Sequence, residues 1–420
     1  MIVLRIYARG ASLVYMKIAV QVKLLPSPDQ ALALKETLHV VNRAANWVSA
    51  LAYMEQVTNK VALQHLAYAR LKSEFGLSAQ PALHVIRKVA GAYASLKANK
   101  RTGRHGRSGF ERRARMETKP IMFRPSSAQP YDDRCLSWQM EDCTVSIWTI
   151  RGRLQGIPLT GSVAQLATIA EFRRGESDLV CRGGKWYLLA TCEVPEAETV
   201  GNPADWLGVD LGIANIATTS DACMSFGGGE LRDYRRRSQR VRAELQARGT
   251  KSAKRKLKHR SAREARHAAH VNHKIAKDIV AEAQRTGRGI GLEDLTGIRE
   301  RARLRKPQRA TFHCWSFAQL GRFIVYKAKR AGVPVVQVDP AYTSQRCSWC
   351  GHVERANRVS QELFVCRSCG VVAHADHNAA RNIAWLAESV WGAVNRPHAA
   401  KPPHPVVSAA ASPVPLGAGR

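Results

Sequence analysis

Four cysteines stand in two pairs, Cys347/Cys350 and Cys366/Cys369, with fifteen residues between Cys350 and Cys366. Two residues inside a pair let one tight turn present two thiolates to one ion, and a second pair closes a tetrahedral structural site. The C-x2-C-x15-C-x2-C spacing is that of a four-cysteine zinc ribbon holding one Zn2+. Gly351 and Gly370 follow the pairs directly and suit the left-handed backbone such turns need. Just past the ribbon, Asp376 heads a helical run and is the first candidate for chemistry. The other six cysteines (Cys135, Cys143, Cys181, Cys192, Cys223 and Cys314) are scattered without a framework and read as small buried hydrophobes. His270 and His273 have neither the spacing nor the neighbours of a metal site, and a structural or phosphate-contacting role is expected.

The chain carries 65 Lys+Arg against 33 Asp+Glu over 420 residues, a net charge of +32. A small-molecule enzyme has no use for that excess. A protein lying along phosphate backbones does, because each neutralised phosphate releases counterions. The length allows two or three cores. With no long apolar run, no membrane span is expected. The first fifteen residues, broken by Arg5 and Arg9, do not read as a signal peptide and are expected to be an upstream extension.

Residues 17–25 alternate apolar and polar, as a strand does. Ser27, Pro28 and Gln30 then give a helix start with a capping box. Leu34, Leu38, Val41, Ala45, Val48 and Ala52 fall on one face of that helix, and further helices are expected at about 61–74 and 79–99. Residues 97–124 are basic and dotted with glycine, a segment suited to follow phosphates; Arg101, Arg104, Arg107, Arg112 and Arg113 are its candidate contacts. Between 121 and 194 short strands are expected (IMFR, CLSWQ, TVSIWTI, LQGIPL, SDLVCR, KWYLLATCEV), forming a small barrel or sandwich. Next come WLGVDLG, with Asp210 near the middle of a strand, and a basic helical hairpin whose tip is Gly249-Thr250. Sixteen Lys/Arg face three Asp/Glu between Leu231 and Lys274, an imbalance that internal pairing cannot offset. Arg235, Arg236, Lys254, Lys258 and Lys274 are the candidate contacts there. A strand, GIGLEDL, a helix from about 313, the strand VPVVQV and a final helix complete the pattern, and the Pro/Ala-rich tail from Pro397 reads as disordered.

The string from Tyr342 through Cys350, the second knuckle and ADHNAARNI resemble the C-terminal signature of TnpB. TnpB proteins are RNA-guided DNA nucleases of bacterial insertion sequences, related to compact type V CRISPR effectors. The resemblance covers about 17–392 and is strongest in the C-terminal half. It implies a multidomain α+β chain. An RNase H-like (RuvC) α/β nuclease domain, 201–342 and 373–395, would carry the ribbon as an insertion at 343–372. An N-terminal wedge-like β-barrel, 16–27 and 105–200, would hold an inserted helical recognition lobe, 28–104. It further implies that Asp210, Glu293 and Asp376 are the catalytic carboxylates, from the first strand, a later central strand and the last helix. Asp210 would bridge two Mg2+ ions while Glu293 and Asp376 hold one side each. Three carboxylates suit that task, since Mg2+ prefers hard oxygens and two ions serve the attacking and leaving oxygens of a phosphodiester. Each acid alone says little; GVDLG, GLEDL and ADHNAARN in that order around the ribbon say more. Asp294 stands beside Glu293 as an alternative, and His374 replaces an acid frequent in the family.

The implied partners are a guide RNA from the transposon end and double-stranded target DNA beside a short adjacent motif, with no membrane. The protein would act as a monomer or homodimer on one guide, in the cytoplasm with the nucleoid. A compact CRISPR effector shares the mechanism and differs in guide origin. A nuclease-inactive RNA-guided repressor predicts loss of a catalytic acid, and all three are present. A zinc-ribbon DNA-binding protein without RNA would not need the ordered carboxylates.

Overall fold

A computed structural model describes residues 14–103, 116, 118–199, 201–221, 224–295 and 317–395. Arg104, Arg107, Arg112, Arg113, Cys223, Cys314 and the two ends (1–13 and 396–420) lie outside the described residues. The chain divides into two units, Met1–Pro195 and Glu196–Arg420.

In the first unit the alternating segment forms β1 (Tyr15–Leu24). The sequence then enters α1 (Pro28–Met54) through the expected box: Gln30 N donates to Ser27 Oγ at 3.2 Å, and Ser27 N donates to Gln30 Oε1 at 3.0 Å. The six expected apolar positions from Leu34 to Ala52 are all buried. Two helices follow, α2 (Lys60–Ser73) and α3 (Ala79–Arg101). Six further strands join β1: β2 (Gln129–Tyr131), β3 (Leu136–Gln139), β4 (Thr144–Thr149), β5 (Gly152–Thr160), β6 (Arg173–Arg182) and β7 (Lys185–Pro195). All pair antiparallel in the order β2-β6-β7-β1-β5-β4-β3, with β1 central. No pairing between the edges β2 and β3 is present among the described residues. One hydrophobic cluster takes in β1, the three helices and the strands.

Two local expectations change. IMFR (121–124) is not a strand. Phe123 N donates to Asn46 Oδ1 at 2.6 Å, and Asn46 Nδ2 donates to Phe123 O at 3.0 Å, so one amide side chain on α1 takes the backbone groups a ladder would have used. Conversely, a helix not anticipated, α4 (Val163–Phe172), starts at a Ser162/Gln165 capping box that is visible in the sequence.

The second unit is a mixed sheet between helices. Its strands are β8 (Trp206–Asp210), β9 (Asn215–Thr219), β10 (Ser225–Gly227), β11 (Gly289–Glu293) and β12 (Val335–Val338), ordered β10-β9-β8-β11-β12. β8 and β11, and β11 and β12, run parallel, while β8, β9 and β10 are antiparallel. The basic hairpin is α5 (Gly229–Arg248) and α6 (Lys251–Arg285), turned at Gly249 with φ +63° and recapped by Thr250, as expected. α7 (Phe317–Arg330) precedes β12; β13 (Leu363–Val365) and β14 (Val372–His374) form the ribbon hairpin; α8 (Ala375–Asn395) ends the unit. The central strands β8 and β11 are apolar on both faces, as strands covered on both sides require. Leu207, Val209, Ile290 and Leu292 pack with Ile279 of α6 and Ile324 of α7. Trp206, Val336 and Val338 pack with Ile383 and Ala387 of α8. His273 stacks on Phe323 at 3.7 Å between ring centroids, which fits the structural role expected of it, and Asn272 beside it donates to Gln319 at 2.9 Å. Among the described residues no helix is long and apolar enough to cross a membrane.

Candidate active site and zinc ribbon

Successive strand residues point to opposite faces. Gly208 and Asp210 of β8 therefore share a face, as do Gly291 and Glu293 of β11, and that face carries α8. Both glycines are there for closeness. A Cβ on Gly208 would overlap the Ala380 carbonyl oxygen and lie 2.6 Å from the Ala384 nitrogen; one on Gly291 would lie 2.9 Å from Ala387 Cβ. The helix backbone thus rests on the strands, which brings Asp376, in its first turn, beside the two strand acids. Asp210 closes β8 rather than sitting near its middle, as the sequence suggested, because the turn at Gly212 begins directly after it. Glu293 likewise closes β11, so both carboxylates stand at strand carboxyl ends. Asp294, the neighbour left open by the sequence, is on the exposed side of the chain.

The electrostatics report three acids in one place. Burial, then the neighbouring charges of Glu293 and Asp376, push the Asp210 carboxyl up to about 8; Arg358 and the Leu211 N–H pull the other way. Burial raises Glu293 as well, opposed by a hydrogen bond from Thr343 and by Arg358. Asp376 is 4% exposed; Asn215 Nδ2 donates to its Oδ2 at 3.1 Å and Arg358 Nη2 to its Oδ1 at 3.4 Å. Three carboxylates with the Arg358 guanidinium beside them are a hard-oxygen donor set suited to divalent cations. Their oxygens are not drawn within 4.8 Å of one another, unlike the ligand atoms of the ribbon.

Several of these contacts were not anticipated. Thr343 Oγ1 donates to Glu293 Oε1 at 2.6 Å. Asn378 and Asn382, one helical turn apart on α8, hold the loop that leads into the ribbon: both donate to Arg346 O at 2.7 Å, and Asn382 also to Thr343 O at 2.9 Å. Ser348 N donates to Asn378 Oδ1 at 2.9 Å. The ADHNAARN string thus carries an acid, a small residue, Ala380, whose backbone meets β8, and two amides for the loop into the ribbon. The i, i+4 asparagines were the available signal. Arg358, inside the ribbon, had none.

The four ribbon cysteines lie together. Cys347 and Cys369 Sγ are 3.7 Å apart, and Cys350 and Cys366 Sγ 3.6 Å. A Zn–S bond of about 2.3 Å places tetrahedral sulfurs about 3.8 Å apart, so the cluster fits Zn2+. The knuckles repeat one another: Gly351 N donates to Cys347 O and Gly370 N to Cys366 O, both at 3.0 Å, with φ +78° and +72° at the two glycines.

Of the expected nucleic-acid contacts, Arg101 ends α3 and is exposed. Arg236, Lys254, Lys258 and Lys274 are exposed on α5 and α6, and Arg235 is half-buried. Near the hairpin tip the two helices enclose a groove of about 660 Å³ lined by Arg248, Arg255, Lys256, His259 and Arg260 among others.

Residues 190–296 match the family described as "Probable transposase" (OrfB_IS605), and residues 317–383 match the Cas12f1-like TNB domain. The chain is 35% identical over 219 residues to the CRISPR-associated endodeoxyribonuclease Cas12f1 of Sulfoacidibacillus thermotolerans, covering 48% of this chain and 50% of that protein. It is 28% identical over 217 residues to InsQ of Escherichia coli, covering 48% and 53%. It is 38% identical over 124 residues to the TnpB-like protein MJ0751 of Methanocaldococcus jannaschii, covering 29% and 44%. The matches span about half the length of these curated relatives.

Proposed function

We propose that the chain is a member of the TnpB family, an RNA-guided DNA endonuclease cutting at Asp210, Glu293 and Asp376. The observation that carries the reading is the convergence of three acids from a central strand, its parallel neighbour and the first turn of α8 on one face of the sheet. A mixed sheet with helices on both faces and the ribbon between the second and third acids supports an RNase H-like (RuvC) nuclease unit. The antiparallel sheet around β1 is assigned as the wedge and α1–α3 as the recognition lobe. Mg2+, when bound, supplies a metal-activated water and a stabilised leaving oxygen. The chain's own part is positional: Asp210 between the other two acids, Thr343 fixing the Glu293 carboxylate, Asn215 fixing Asp376. The basic hairpin α5–α6 is assigned to the phosphate backbone of RNA or DNA, and the protein to the cytoplasm.

Purification from cells carrying the native locus, followed by sequencing of copurifying RNA, tests the reading. A single abundant RNA ending in a variable segment, and cleavage of matching DNA with Mg2+, is expected. Heterogeneous cellular RNA alone would remove the guide from the proposal. The match of residues 317–383 to the Cas12f1-like domain favours one alternative, a guide from a CRISPR array, which the same RNA sequences distinguish.

Two further results are expected. Arg358→Ala removes the cation that holds protons off Asp210 and Glu293, so the rise of cleavage with pH moves alkaline. Arg358→Lys restores most of it; an unchanged pH–rate profile in the alanine variant would contradict the assignment. Cys347→Ser or Cys366→Ser releases the ribbon zinc and unfolds the ribbon locally. Hydrogen exchange then accelerates across 343–374, whereas full zinc content and unchanged protection would show that the cysteines hold no metal.

A further inference from the structure

The described residues contain one other tight group of metal-ligating atoms, in the first unit and apart from the proposed nuclease chemistry. A ring nitrogen of His84, a carboxylate oxygen of Asp132 and Sγ of Cys135 lie within 4.8 Å of one another. We propose that these three side chains bind a second Zn2+, which ties α3 to the turn between β2 and β3.

Donor types, spacing and unmet bonding support the site. Imidazole, thiolate and carboxylate are the ligands zinc takes in proteins. Asp132 and Cys135 are separated by two residues, the gap within each ribbon knuckle, and the same kind of tight turn presents them: Cys135 N donates to Asp132 O at 3.0 Å. His84 comes from α3, its Nε2 3.5 Å from Asp132 Oδ2. One turn earlier on that helix, Gln80 Nε2 donates to Asp132 Oδ2, an outer contact of the kind that orients a ligating carboxylate. His84 is fully buried and Cys135 is 3% exposed, while the half-buried Asp132 leaves a route from solvent.

Buried side-chain nitrogens and oxygens are nearly always partnered. Here His84 Nδ1, Asp132 Oδ1 and the Tyr131 hydroxyl are all buried without a hydrogen-bond partner. Such a concentration of unmet groups points to a ligand. Glu176 Oε1 lies 4.0 Å from His84 Nε2 but is paired with Arg87, so it is left out of the set. One thiolate, one carboxylate and a neutral imidazole balance the charge of a divalent ion, and water completes the fourth position. On binding, the Cys135 thiol gives its proton to solvent.

Elemental analysis of the full chain, purified without chelator or added metal, decides. Wild type should hold two zinc ions per chain. Cys135→Ser and Asp132→Asn should each hold one fewer than wild type, and Cys347→Ser should lose the ribbon ion alone. Asp132→Asn keeps the shape of the side chain, so a folded variant, by melting curve and far-ultraviolet circular dichroism, that has lost zinc separates ligation from collapse. After cobalt exchange, the ribbon-deficient protein should keep thiolate-to-cobalt absorption, and adding Cys135→Ser should abolish it. A wild type with one zinc, lost in Cys347→Ser, would overturn the proposal and leave a water-filled polar pocket. So would two zinc ions retained in both Cys135→Ser and Asp132→Asn. Neither outcome bears on the nuclease reading.

Discussion

Asp210→Ala is expected to abolish DNA cleavage, by at least about 10³-fold in rate, while RNA and DNA stay bound. Asp210 feels both other acids and ends the central strand, so its loss removes the group common to the cluster. Phosphate contacts are assigned to the basic hairpin, outside this site. Loss of binding in a well-folded variant would sink the role. The companion Asp210→Asn variant tests the electrostatics. The folded carboxyl sits at about 8 against an ordinary 3.8, raised by burial and then by Glu293 and Asp376. Between those values the native state binds more protons than the unfolded chain, so without divalent metal the contribution of Asp210 to stability falls as pH rises from about 4 to about 8. Asn carries no charge to confine. Metal-free Asp210→Asn is therefore expected to melt above wild type at pH 8.5, by a few degrees or so, with the difference shrinking at pH 5. Mg2+ should narrow it too, by stabilising wild type only. A variant melting below wild type at pH 8.5 would refute this balance.

The parts of the site legible in the sequence are those with local signals. Cysteine spacing marks the ribbon because one turn must present two ligands, and Gly249-Thr250 marks the hairpin tip because glycine and a capping hydroxyl stop one helix and start the next. Asp210, Glu293 and Asp376 could be ordered, yet nothing local chose Glu293 over Asp294. What favours Glu293 in the proposed site is tertiary: Gly291, which shares its face, rests against α8. Thr343 and Arg358 were invisible for the same reason: their partners lie 50 and 18 residues away, and only the folded sheet brings them together. The strand expected at IMFR failed where a side chain far along the chain, Asn46, took its backbone groups. Pattern reading gives elements and faces; competition among long-range partners decides the rest.

Gly208→Ala is expected to damage cleavage severely, although the residue does no chemistry. Its missing side chain is the surface on which α8 sits: the added methyl would overlap the Ala380 carbonyl oxygen, and backbone cannot turn aside as a side chain can. Overpacking that flexible side chains absorb costs about 1–3 kcal/mol, and here the helix itself must lift. That displaces Asp376 from Asp210 and loosens the grip of Asn378 and Asn382 on the ribbon loop. A misplacement of about 1 Å costs about 10²-fold in rate, so cleavage should fall at least that far, with faster hydrogen exchange along α8 and a lower melting temperature. Gly91→Ala is the control: an exposed glycine inside α3 with nothing within 4 Å of the added atom, where alanine should stabilise by about 0.5–1 kcal/mol. If Gly208→Ala instead melted and cut like wild type, α8 could not rest on β8 as closely as this, and the helix would no longer be what sets Asp376 beside the strand acids.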